Sequence, residues 1–65
     1  MREKMIEALR AHAVGHIEKH KTNVEVLLQK AVGIGEHSDL LVEFDKWVSK
    51  LADAKEKLQV LEEML

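Results

Sequence analysis

Three of the four histidines in this chain, His12, His16 and His20, recur at intervals of four residues. On an α-helix that spacing stacks their side chains along one face, about 6 Å apart at 1.5 Å of rise per residue. Imidazole nitrogens placed in this way can chelate zinc, nickel or copper, and a bundle could add a ligand from a second chain. The same rings titrate near pH 6.5, so histidines beside an apolar interface could tie assembly to pH. The bland alternative weighs more. His20 falls in an apolar seam, where a histidine is ordinarily a partly buried core member, while His16 flanks the seam and His12 lies at its border. No HExxH pattern or carboxylate pair accompanies the row, so no metal site is assigned, and the row is retained only as a candidate.

Other polar clusters carry less. Gly33-Ile34-Gly35 precedes a helix start, and helix N-termini bind anions. No strand precedes it, no lysine follows it, and Glu36 and Asp39 would repel phosphate, so turn chemistry explains the glycines. Arg10 intrudes on the apolar seam; it either carries its head past Leu61 to Glu62 or Glu7, or sets the register of helix pairing. Asp53–Lys57 and Glu18–Lys21 read as exposed helical ion pairs worth a few tenths of a kcal/mol each. No nucleophile–base arrangement or paired-carboxylate site has a pocket in so slender a chain. The expectation is therefore no enzyme, no catalytic residues and no cofactor.

Composition narrows the class further. The 65 residues suffice for one domain near the lower size limit for an independent core. With no cysteine, disulfides and thiolate metal sites are excluded; with no proline, nothing interrupts long helices. Ten basic and twelve acidic residues are interspersed, giving a formal net charge of −2 and no basic block for phosphates. Neither a signal peptide nor the roughly 20 apolar residues of a membrane span is present. A membrane-surface hairpin is disfavoured by the mixed charge of the polar faces. These features predict a soluble cytoplasmic protein with no nucleic-acid or membrane partner.

The elements that position the histidines follow from periodicity. Ile6, Arg10, Ala13, Ile17, His20, Val24, Leu27 and Ala31 keep an alternating 4-3 spacing, which predicts a helix over about 2–32. Gly33 then suits a left-handed helix stop, with Ile34 folding back onto Leu28 or Gln29. Ser38 suits an N-cap, and Asp39 the acid-favouring first turn. A second seam of Leu40, Phe44, Trp47, Leu51, Ala54, Leu58, Leu61 and Leu65 predicts a helix over about 39–64 after a turn at 33–38. Folded back at that turn, the seams face each other wherever residue numbers sum to 71, and small residues meet large ones in three layers. The expected fold is all-α: one domain spanning 1–65, an antiparallel two-helix hairpin.

A competing segmentation takes Thr22 as an N-cap and Glu25 as its capping-box partner, ending the first helix near His20. The seam keeps its phase through 17, 20, 24 and 27, which argues against that break. One hairpin leaves much apolar surface wet. Leu41 and Val48 at e positions, Met64 at a g position, and Leu9 and Leu28 beside the first seam widen the stripe beyond a two-helix contact. These five form the expected interaction surface, and a homodimer of hairpins forming a four-helix bundle is the expected assembly.

The stretches EALRAHAVGHIEKHKTNVEVLL (residues 7–28) and VGIGEHSDLL (residues 32–41) resemble small uncharacterised proteins of T4-like marine phages of the cyanophage type. The C-terminal KLQVLEEML (residues 57–65) is similar in manner, so the resemblance covers nearly the whole chain. That group has no assigned activity. The resemblance implies a phage or marine origin, with the host cytoplasm as the compartment, and brings no catalytic residues. The functional expectation is a small oligomeric helical protein acting through protein–protein contacts, possible roles being phage accessory or assembly factor. The alternative is a metal- or ligand-binding module on the His12–His16–His20 face.

Overall fold

Two long helices, α1 (Arg2–Ala31) and α2 (Ser38–Glu63), make up the fold. A computed structural model describes residues 1–31 and 38–65, with the backbone alone at Ala31 and Ser38; the expected glycine turn, the fold-back of Ile34, the cap by the Ser38 side chain and the layer joining Ala31 to Leu40 therefore lie outside what is described. Glu3 and Asp39 occupy the first turns of their helices and Lys30 the last turn of α1, each with the sign that the helix dipole favours. The helices pack antiparallel into a rod of 53 × 14 × 12 Å, consistent with about 45 Å for the 30 residues of α1. The chain is an all-α helical hairpin. No helix among the described residues is long and apolar enough to cross a membrane.

The alternative break in the first helix does not occur. α1 runs unbroken through Thr22, whose hydroxyl donates to the Glu18 carbonyl at 2.9 Å. This is the back-bond of a mid-helix threonine, so the hydroxyl is not engaged in capping. Glu18 also meets Lys21 at 4.0 Å, as the spacing predicts, whereas no Asp53–Lys57 pair forms among the described residues.

The two seams meet face to face. Ile6, Ala13, His20 and Ala54 are buried. Arg10, Ile17, Val24 and Leu27 on α1 are half-buried, as are Leu40, Phe44, Trp47, Leu51, Leu58 and Leu61 on α2. Leu65 is the exception. The spacing pairs it with Ile6, but it lies beyond the end of α2, outside the helical register that would hold it on the seam, and is 59% exposed.

Arg10 shows how a charged side chain occupies a seam. The residue is half-buried at its seam position while Nη2 donates to Glu62 Oε2 at 3.4 Å. Of the two acids within its expected reach, the pairing is with the cross-helix one. Both side chains remain more than 40% exposed, so the bond fixes a direction and adds little stability. At the same end, Arg2 Nη2 donates to the Met64 carbonyl at 3.1 Å, tying the start of α1 to the end of the chain.

Candidate functional site

The histidine row is a run of packed rings. His12 and His16 have ring centres 4.2 Å apart, tilted by 44°, and His16 and His20 stand edge to face at 5.5 Å. The row then crosses to the second helix, where the His20 ring lies 5.8 Å from the Trp47 indole. Each ring is placed by the four-residue recurrence, which turns 400° and so advances each histidine slightly around α1. His12 is therefore exposed, His16 half-buried and His20 buried in the seam. Among the described residues, no three His, Cys, Asp or Glu side chains converge on a point where a metal ion could sit. The row crosses from solvent into the core, and its rings pack on one another.

These rings form one wall of an open groove of about 830 Å³. Leu9 and Ala13 complete the α1 side. From α2 come Ala54, Val60 and Leu61, with Lys50, Asp53, Glu56 and Lys57 along the rim. Ala13 and Ala54, each 6% exposed, create the depth: a methyl group at a seam position leaves space that a leucine would fill. The groove lies on the flank of g and c positions. A shallower hollow of about 170 Å³ lined by Asn23, Val26, Leu27, Lys30 and Trp47 continues the same flank towards the turn.

Electrostatics distinguish the three histidines. His16 is held below its ordinary pKa of 6.5, first by desolvation and then by His12, His20, Lys19 and Lys57, all of which disfavour a second positive charge. His20 poses a different problem. Its Nδ1 is buried and has no hydrogen-bond partner. An orphaned buried polar atom costs about 1–3 kcal/mol, and a lone pair is the less demanding occupant of that position than an N–H. Trp47 is firmly held by comparison: Nε1 donates to Glu43 Oε2 at 3.2 Å, and the ammonium groups of Lys46 and Lys50 sit 5.2 and 5.7 Å from its ring centre.

The five residues expected to form an interaction surface are all exposed: Leu9 55%, Leu28 42%, Leu41 67%, Val48 40% and Met64 49%. They are distributed over two flanks. Leu9 borders the groove and Met64 shares its g flank, whereas Leu28, Leu41 and Val48 occupy e positions on the other side of the seam. Sequence reasoning missed Val60. It sits at a c position, which reads as solvent-facing in a two-helix coil, yet it lines the groove and is 45% exposed. An isolated valine between Gln59 and Leu61 carries no signal of this kind without the opposing helix.

Compared with protein-family models, curated proteins and solved structures, the chain matches none.

Proposed function

We propose that this protein is a small non-enzymatic helical module that acts by binding protein, beginning with a second copy of itself in a four-helix bundle. One observation carries the reading. The hairpin exposes 5126 Å², whereas a compact protein of its mass, 7.4 kDa, exposes about 4,200 Å². The excess, about 900 Å², is close to the roughly 800 Å² that each partner contributes to a standard interface. Much of the uncovered surface is apolar: among the described residues, twelve large hydrophobic side chains are exposed. Four helices share a core that two cannot enclose, because each helix then buries a second stripe beside its seam.

The resemblance to small proteins of T4-like marine phages makes an accessory or assembly role in a phage the setting we propose. Sedimentation equilibrium on the full chain at micromolar concentration tests the assembly. The expected result is a species of twice the chain mass in concentration-dependent exchange with monomer. A folded hairpin that stays monomeric throughout that range would refute the reading.

A further inference from the structure

We propose that the second copy seats on the flank carrying the groove, with Leu9 and Val60 as the exposed apolar contacts and the histidine row facing the partner. This rests on self-pairing as the function and adds which face performs it. The groove runs from Leu9 to His20 on α1 and from Lys50 to Leu61 on α2. That is about 17 Å, or three helical turns, enough to receive the side chains of another helix. Its depth comes from Ala13 and Ala54, and close approach of a further helix needs small residues where the ridges cross. Leu9 and Val60 stand exposed at its edges, where each copy would insert them into the other.

Charge favours a second copy over a strongly charged partner. Lys50 and Lys57 on the rim are matched by Asp53 and Glu56, so with neutral imidazoles the face carries both signs and no excess. A face that meets itself across a two-fold axis must avoid an excess of one sign, since every unmatched charge confronts its own copy. His20, 7% exposed and with a buried, unpartnered Nδ1, forms part of the groove wall. The opposite flank is less open to a helix. Near the free end, Arg10 reaches across it to Glu62.

The choice of face makes pairing pH-sensitive. His16 is surrounded by His12, His20 and Lys19 from its own helix and by Lys57 from α2. Asp53, Glu56 and Lys50 line the same groove, so its two acids only balance the number of its two lysines. Protons on the row therefore add uncompensated positive charge to a surface that meets its own copy.

The test uses the full chain, with sedimentation equilibrium at pH 7.5 and 5.5 and helicity checked by circular dichroism. Leu9→Glu and Val60→Glu are expected to raise the dissociation constant at least about tenfold, as placing a charge in an apolar contact does, while Leu41→Glu on the other flank changes it little. The wild-type dimer is expected to weaken at the lower pH. Because the native chain lacks cysteine, Val60→Cys and Leu41→Cys provide a gentler measurement through thiol-reagent labelling. Position 60 should become protected as concentration rises, and position 41 should not. Disruption by Leu41→Glu with the groove variants still paired, or equal labelling at both cysteines in the dimer, overturns the assigned face and leaves self-pairing standing. A wild-type chain that never pairs overturns both.

Discussion

The imidazole of His20 on α1 and the indole of Trp47 on α2 lie 5.8 Å apart, centre to centre, inclined by 39°. This contact joins the end of the histidine row to the bulkiest side chain of the second seam. It explains how a polar ring is accepted in a narrow core. Trp47 presents an apolar surface while directing its own N–H outward to Glu43, and His20 obtains packing but no hydrogen bond for Nδ1.

Replacing that ring should therefore strengthen the hairpin. His20→Leu keeps a large side chain against Trp47 and removes the orphaned nitrogen. A gain of about 1 kcal/mol is expected, read as a higher urea midpoint with an unchanged slope. A loss of stability would show that the imidazole makes a bond that its surroundings in the hairpin do not reveal.

His16 sets an expectation for pH. Its folded pKa lies below the unfolded value near 6.5, so in the intervening range the unfolded chain binds the extra proton. Its favourable contribution is complete above about pH 6.5, declines as pH falls below that value and is lost once pH has passed the folded pKa. The urea midpoint should be lower at pH 5.5 than at pH 7.5, and His16→Gln should narrow the gap. An undiminished gap in the variant would assign the effect to another group.

Gly15 offers a simpler test. It lies in the middle of α1, and a Cβ built there meets nothing within 4 Å. Gly15→Ala should then stabilise the helix by about 1 kcal/mol through backbone entropy, raising Tm by about 4–8 °C for a chain of this size. A decrease in Tm would mean that the position is covered in the assembled protein.

Much of the hairpin was legible in advance because its signal is local and repeated. An α-helix converts a 4-3 spacing directly into a stripe, so Ile17, Val24, Phe44, Leu51 and Leu58 could be placed in the core without knowledge of their partners. Arg10 was legible in part. Its position on the stripe, with Glu62 near by, implied a stem that follows the seam and a head that leaves it. The candidate site was less so. The row of histidines was visible as spacing, but its groove was not, because a groove requires two separate alanines, Ala13 and Ala54, to be set against the side chains of the other helix.

The sequence by itself determined two unbroken helices and the faces by which they meet, since periodicity, the absence of proline and the placement of charge act within a few turns of one chain. Tertiary structure decided what those faces leave over. It set His20 against Trp47 with an unpaired nitrogen, sent Arg10 to Glu62 across the seam, left Leu65 uncovered and made Val60 the rim of a groove. Each of these depends on the distance between helices and on side-chain rotamers, which packing sets jointly across both helices and no single stretch of chain encodes.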